Sequence, residues 1–252
     1  MKKTHSKRNI LIYGINPVSE ALAAKQKITA VWMDQSSKNN RLHEIRKSAQ
    51  DQKIQILNKT QEELFDLAQS EHQGVIAFLA GLSTLYSSLD DFFHKTRPQS
   101  PYFFVIADNI TDPRNLGALI RSADHFGVTA LILAKHEAAP LNSVVFKTSS
   151  GAIHHLPVIQ QANLHQAILW LKKNDTWVYG LDADGDKLIS SCDLNGNIAI
   201  VLGSEGKGMR RLIRESCDFL VSIKNLGHVD SLNVSVAGGI MMYEAMRQRS
   251  ND

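Results

Sequence analysis

The sequence predicts an α/β protein in two parts: a small front α/β domain and a larger C-terminal α/β domain on a mostly parallel sheet. Three observations predict it. Short apolar runs alternate with helix-forming segments through nearly the whole chain. In the C-terminal part, runs such as Tyr102 to Ala107 and Ile198 to Leu202 are almost continuously apolar, the pattern of strands buried on both faces of a parallel sheet. Between them, residues 81–100 turn to Ser, Pro and Gly around the single amphipathic piece Leu89-Asp-Asp-Phe-Phe93. The expected division is 1–84, a linker at 85–100, and 101–252.

In the front part, Ile10 to Tyr13, Ile28 to Met33, Ile54 to Leu57 and Val75 to Leu79 read as strands. Pro17 to Ala24, Arg41 to Ala49 and Gln61 to Ala68 read as helices, the last opened by the capping box Thr60-Gln-Glu-Glu63. From 101 onward the strands are Tyr102 to Ala107, Thr129 to Ala134, Ala152 to Val158, Trp177 to Leu181, Ile198 to Leu202 and Phe219 to Ile223. Asp108 to Asn115 is a loop, and Leu116 to Phe126 a helix stopped by Gly127.

The 252 residues carry a net charge of +3, unevenly spread: residues 1–84 hold 12 Lys/Arg against 8 Asp/Glu, and residues 101–252 hold 14 against 15. A basic front third suits phosphate contacts, although an excess of four also suits an ordinary solvated surface. No apolar run approaches the roughly 18 residues of a membrane span. The basic start Met1 to Arg8 lacks the apolar stretch of a signal peptide. Cys192 and Cys217 have no C-x-x-C spacing and no clustered histidine, so neither a disulfide framework nor a metal site is expected. A reducing cytoplasm is the expected location.

Two glycine-rich stretches stand out: Val201-Leu-Gly-Ser-Glu-Gly-Lys-Gly-Met209 at a strand end, and Ser231-Leu-Asn-Val-Ser-Val-Ala-Gly-Gly239 entering a helix. The first is not a phosphate-binding P-loop, because Gly208 follows Lys207 where a Mg²⁺-binding hydroxyl is required. Its G-x-x-G-x-G spacing and late position also exclude a dinucleotide fingerprint. Gly238 and Gly239 each cost a helix about 1 kcal/mol against alanine, which implies a close approach there.

With Asn115-Leu-Gly-Ala-Leu-Ile-Arg121, these stretches resemble the three motifs of the SpoU/TrmH family of RNA ribose 2′-O-methyltransferases, in order and in residue type. The front segments Ile12-Tyr-Gly-Ile-Asn-Pro-Val-Ser-Glu-Ala-Leu22 and His72-Gln-Gly-Val75 resemble the substrate-binding domain of bacterial 23S rRNA guanosine-2′-O-methyltransferases. The resemblance implies a SPOUT-type domain with a deep trefoil knot, among the rarest of topologies, and an L30e-like front domain. It also implies S-adenosyl-L-methionine as methyl donor, RNA as partner with 23S rRNA foremost, and a homodimer. Methylation of tRNA, and a non-catalytic RNA-binding or assembly role, are the alternatives.

The implied catalytic residues are Asn115, Arg121, Glu205, Ser231 and Asn233; Gly203, Ile223 and Leu232 are the implied donor-binding positions. Each has an ordinary explanation beside it. Arg121 lies about 140° from Leu116, off the apolar helix face, and could be simply solvated. Glu205, Ser231, Asn233 and Ser235 could be helix-terminal residues. A ribose hydroxyl is a weak nucleophile that must be aligned with the S–CH₃ bond while it loses its proton. Asn115, Ser231 and Asn233 could supply that alignment. A guanidinium stays protonated, so Arg121 suits stabilising a developing alkoxide and gathering a phosphate better than acting as base. Three features receive no such role: the spaced acids of Asp182-Ala-Asp-Gly-Asp186, which resemble a Ca²⁺ loop but have Lys187 where glycine is required; His154-His155; and Lys147 to Ala152.

Overall fold

A computed structural model describes residues 10–37 and 39–249; the basic start Met1 to Arg8 lies outside the described residues. In chain order the elements are β1 (Ile10–Tyr13), α1 (Ile15–Ala23), β2 (Ile28–Asp34), α2 (Asn40–Asp51), β3 (Gln55–Lys59), α3 (Gln61–Ala68) and β4 (Val75–Leu79). There follow β5 (Leu85–Tyr86), α4 (Leu89–Thr96), β6 (Phe103–Ala107), α5 (Pro113–His125), β7 (Ala130–Ala134), α6 (Ser143–Thr148), β8 (Val158–Gln161) and α7 (Leu164–Lys173). The chain ends with β9 (Trp177–Leu181), β10 (Lys187–Leu188), β11 (Ile198–Leu202), α8 (Arg211–Ser216), β12 (Phe219–Ser222) and α9 (Val234–Arg249). Among the described residues, no helix is long and apolar enough to cross a membrane.

The chain divides into two units, 10–83 with 141–155, and 84–140 with 156–249. The first carries a four-stranded sheet in the order β1-β4-β2-β3, with only β2 and β3 parallel. Its α3 starts on the expected capping box, Thr60 Oγ1 accepting from Glu63 N and Glu63 Oε2 from Thr60 N. Segment 141–155 packs α6 against β1 and α1. The strand expected from Ala152 to Val158 forms only at Val158. Gly151 has φ +88° and turns the chain into a 3₁₀ helix over Ala152–His154, with the Cβ and Cγ of Glu20 too close for any side chain at Gly151.

The second unit is an eight-stranded sheet, β10-β12-β9-β11-β6-β7-β8-β5, in which every pairing is parallel. Residues 85–100 contribute to it: β5 extends the sheet edge, and α4 buries Leu89 and Phe92 in the core with Phe104, Ile106, Ile159 and Ile168. β6, β7 and β8 run outward in one direction, whereas β9, β11 and β12 lie on the other side of β6. The order therefore reverses next to β6, and in open parallel sheets ligands bind beyond the carboxyl ends of the strands at such a switch. Three segments leave the sheet there: the β6–α5 loop, the loop after β11 and the chain between β12 and α9.

Gly238 has a close neighbour, as its cost implies, and that neighbour is internal. A Cβ at Gly238 would stand 2.7 Å from Leu202 Cδ1 and 2.9 Å from Leu119 Cδ1, so α9 rests directly on β11 and α5. Gly239 meets only Ser122 Oγ at 3.7 Å, an ordinary contact. Gly238→Ala should therefore destabilise by up to about 2 kcal/mol, an overpacking cost of about 1–3 kcal/mol less the helix-propensity gain. Denaturant unfolding measures it; unchanged or raised stability would contradict this packing.

His154 is 4% exposed, its ring lies 5.3 Å from that of Phe146, and neither ring nitrogen makes a hydrogen bond. Burial, and secondarily the neighbouring His155, pull its pKa from 6.5 to about 4, opposed weakly by the Pro17 backbone. Between these values the unfolded chain binds the proton and the folded chain does not. Stability present above pH 6.5 is thus lost as pH falls towards 4, by up to about 3 kcal/mol. Unfolding across this window should show that slope in the wild type and lose it in His154→Leu.

Candidate active site

Helix α5 begins at Pro113, whose missing N–H costs nothing at a first helical position, with Asp112 as N-cap accepting from Arg114 N at 2.8 Å. Leu116, Leu119, Ile120 and Ala123 bury one face. Asn115 therefore sits in the first helical turn, half-buried, rather than in the preceding loop.

The loop after β11 is a tight return. Ser204 and Gly208 exchange backbone hydrogen bonds at 3.0 and 2.9 Å, and Gly206 and Gly208 adopt φ of +75° and +64°. A Cβ at Gly203 would come within 2.2 Å of Gly208 C and Met209 N, so this glycine is required by the loop's own closure. The tip of the return presents Glu205, exposed. Helix α9 starts at Val234 with Asn233 as its cap: Asn233 Oδ1 accepts from Ser235 N at 3.0 Å, Val236 N at 3.4 Å and Ser235 Oγ at 2.6 Å.

Three of the expected site residues, from three distant segments, meet on one carboxylate oxygen. Glu205 Oε1 accepts from Asn115 Nδ2 at 3.1 Å, from Asn233 Nδ2 in a short contact, and from Val234 N at 3.4 Å. Asn233 Nδ2 also donates to Asn115 Oδ1 at 3.0 Å. The charge lies at the amino end of α9, where backbone N–H groups favour an anion. Among the described residues, Asn233 is thus fully committed, while Glu205 Oε2 and one amide proton of Asn115 stay open. An open donor and an open acceptor on two side chains bonded to each other can hold a hydroxyl group and receive its proton.

Beneath this triangle lies a clamp absent from the sequence-based expectations. Asp108, fully buried at the end of β6, accepts from Arg210 Nε at 2.8 Å and Nη2 at 2.7 Å through Oδ1, and from Arg210 N at 2.8 Å through Oδ2. Arg210 Nη1 reaches Glu137 Oε2 at 2.5 Å, and Asp108 N donates to Leu202 O at 2.8 Å. A buried carboxylate needs such a partner, here an arginine whose side chain is itself 42% exposed. The clamp ties the loop leading into α5, and so to Asn115, to the loop carrying Glu205. Sequence carries no signal for a pair 102 positions apart.

Arg121 and Ser231 do not join the triangle. Arg121 is exposed, as its place off the apolar face predicts, and among the described residues it has no hydrogen bond or ion pair. It stands six residues beyond Asn115, about 9 Å along α5 and about 120° around it. Ser231 is exposed just before α9. Gly203 follows β11 and Ile223 follows β12, on either side of β9, so they stand two strand spacings apart, about 10 Å. Leu232, 47% exposed, with Leu226 and Val229 also exposed, adds apolar surface on the same rim. Main chain and aliphatic surface suit a flat, neutral adenosine better than charged side chains would. The acidic turn after β9 is no ion loop: Asp182 accepts from Arg214 Nε at 2.8 Å and from Asp184 N at 3.0 Å.

Comparison with known proteins matches residues 102–243 to the SpoU rRNA Methylase family and residues 11–85 to the RNA 2′-O ribose methyltransferase substrate-binding family. The 23S rRNA (guanosine-2′-O-)-methyltransferase RlmB of Coxiella burnetii is 41% identical over 239 residues, covering 94% of this chain and 95% of that protein. The putative TrmH family tRNA/rRNA methyltransferase YacO of Bacillus subtilis is 36% identical, covering 97% and 98%. In fold, the SpoU methyltransferase AviRb of Streptomyces viridochromogenes, crystallised with AdoMet, superposes with a TM-score of 0.84 at 24% identity, over 96% of this chain and 91% of that one. The three motifs, the site they assemble and these matches agree: the chain belongs to the SpoU rRNA methylase family of RNA 2′-O-ribose methyltransferases.

Proposed function

We propose that this enzyme methylates the ribose 2′-hydroxyl of a guanosine in 23S rRNA, with S-adenosyl-L-methionine as donor, and that the Glu205-centred triangle is its reaction centre. The observation that carries this reading is the convergence of Asn115, Glu205 and Asn233 on one carboxylate oxygen at the sheet's switch point. The 41% identity to a guanosine-2′-O-methyltransferase of 23S rRNA supports the substrate.

The donor, when bound, supplies a methyl group on a sulfonium. Gly203, Ile223 and Leu232 would hold it through main chain and apolar contact. Asn115 and Glu205 Oε2 orient the 2′-hydroxyl, and Glu205 is the nearest acceptor for its proton. Ser231, at the same rim, adds a hydroxyl contact. Arg121, free and set apart from the triangle, gathers the phosphate next to the target ribose and stabilises charge developing on the oxygen. Residues 1–84 bind the RNA and residues 101–252 carry out transfer in the cytoplasm, in keeping with two free cysteines. The implied trefoil knot belongs to this reading. Its support is that the chain leaving β12 must travel back past β9 and β11 before α9 packs on α5.

The same reading includes a homodimer. Along α5 and α9, Val236, Ile240 and Tyr243 are 49, 37 and 51% exposed beside Phe126, an apolar face that a second copy would cover. Because Gly238 is already buried against Leu119 and Leu202, the dimer is assigned to these larger side chains. Light scattering should give twice the 28.0 kDa chain mass, and Tyr243→Asp should shift it to monomer. A monomeric wild type at micromolar concentration would overturn the assignment.

Arg121→Ala should keep stability within about 1 kcal/mol, since the side chain makes no internal bond. Donor affinity should stay near wild type while single-turnover methyl transfer falls at least ~10²-fold. Arg121→Lys should recover little, because a point charge does not reproduce a planar fork. Near wild-type transfer by the alanine variant would remove Arg121 from the site. Substrate choice is settled by mapping 2′-O-methyl groups on rRNA and tRNA from cells lacking the protein: a missing guanosine methyl in 23S rRNA is expected, and one missing only from tRNA would refute it.

A further inference from the structure

At the opposite end of β9, β11 and β12 from the reaction centre, Trp177, Ile198 and Phe219, the first residues of these strands, border a cavity of about 360 Å³. Its wall is an aromatic ladder. The ring of Trp177 lies 5.6 Å from that of Phe219 at 36°, and Phe219 stacks on Tyr179 at 5.2 Å and 29°. Tyr179 is fixed by donating its hydroxyl to Asp193 O at 2.7 Å, whereas Trp177 is 55% exposed, much for so large an aromatic side chain. Lys187 Nζ sits 4.4 Å from the Phe219 ring centre and, among the described residues, has no carboxylate partner. Asp193 Oδ1 is taken by Asn195 N at 3.1 Å and Nδ2 at 2.9 Å, which leaves Oδ2 as an open acceptor.

An open aromatic face, a free cation and a free acceptor around a small cavity match the three parts of a nucleotide: π-face, phosphate and base-edge amino group. The volume lies near the lower end of ligand pockets, roughly 300–1,000 Å³, which admits a base and not a duplex. We propose that this pocket holds an unpaired base of the RNA substrate, stacked on Trp177 with its phosphate on Lys187, away from the methylated nucleotide. Five residues of β11, about 17 Å, separate Ile198 from Gly203, and four of β12, about 13 Å, separate Phe219 from Ile223, so a base stacked on Trp177, level with Ile198, lies outside the reaction centre. The proposal rests on the RNA methyltransferase reading and adds a second point of attachment that fixes the register of the strand.

The test uses full-length protein and a labelled, unstructured ten-nucleotide oligoadenylate. Binding should quench tryptophan emission in the wild type, and the quench should vanish in Trp177→Phe, which keeps Trp32 and Trp170. Affinity by anisotropy should fall about tenfold in Trp177→Ala and less in Trp177→Phe, which still stacks. Lys187→Ala, a surface change that leaves the aromatic ladder in place, should weaken binding and lower the salt slope by about one. Donor binding should stay unchanged in all three. Quenching that persists in Trp177→Phe, or wild-type affinity in both Trp177→Ala and Lys187→Ala, overturns the pocket while leaving methyl transfer standing. Conversely, a wild type that methylates no RNA removes the enzymatic reading, and Trp177-dependent quenching would survive that.

Discussion

Glu205 Oε1 is the point on which the catalytic unit depends. It receives an amide proton from Asn115, another from Asn233 and the backbone N–H of Val234. The donors come from two segments leaving the carboxyl edge of the sheet, and Glu205 itself comes from a third. Hydrogen bonds to a charged acceptor are worth about twice neutral ones, and three on one oxygen hold the carboxylate in a single orientation. Its second oxygen is therefore fixed in place, which on the function proposed for it means before any substrate arrives. That matters for this chemistry, because a neutral hydroxyl gains reactivity chiefly from alignment, and alignment fixed in advance is not paid for at the moment of reaction.

The triangle can be that definite only because the loops carrying it are fixed from below. Asp108 has no solvent exposure, and Arg210 satisfies it through two side-chain donors and one backbone donor. The pair joins the ends of β6 and β11, so a shift of either loop would strand a buried charge. Gly203 works alongside it, because the loop doubles back at a distance that no Cβ tolerates. The exposed Glu205 thus inherits its definite position from the buried Asp108 and from the closure at Gly203.

Much of this was legible in the sequence, for identifiable reasons. Strands β6, β9 and β11 were evident because burial on both faces enforces continuous apolar runs, and α3 because its capping box is local. α5 starts at Pro113, three residues before the Leu116 that the apolar pattern suggests, because Asp112-Pro113 is itself a cap-and-first-turn signal lying in a polar stretch that otherwise resembles a loop. The 152–158 segment misled because its apolar residues, Ala152 and Ile153, are buried by a 3₁₀ turn after the left-handed Gly151 rather than by a sheet. Asn115, Glu205 and Asn233 were recognisable as a motif, yet composition gave no hint that the two amides would be spent on the carboxylate. The Asp108–Arg210 pair and the Trp177–Phe219 contact were illegible because both join residues brought together only by the parallel sheet order.

That sheet order has a further consequence. β9, β11 and β12 present Gly203 and Ile223 at one end and Trp177 and Phe219 at the other, joined by strands of four or five residues. β11 is completely buried along its length, and β9 over its three central residues, so close packing on both faces fixes the spacing between the two ends. Rigid spacing is useful to an enzyme whose substrate is a flexible strand. Stacking at one end is tolerant of sequence, and hydroxyl alignment at the other is tolerant of base, so neither alone selects a nucleotide. Joined by a fixed separation, the two select the nucleotide that lies at the right distance from an unpaired base, and discrimination comes from RNA shape as well as from contacts with the target itself.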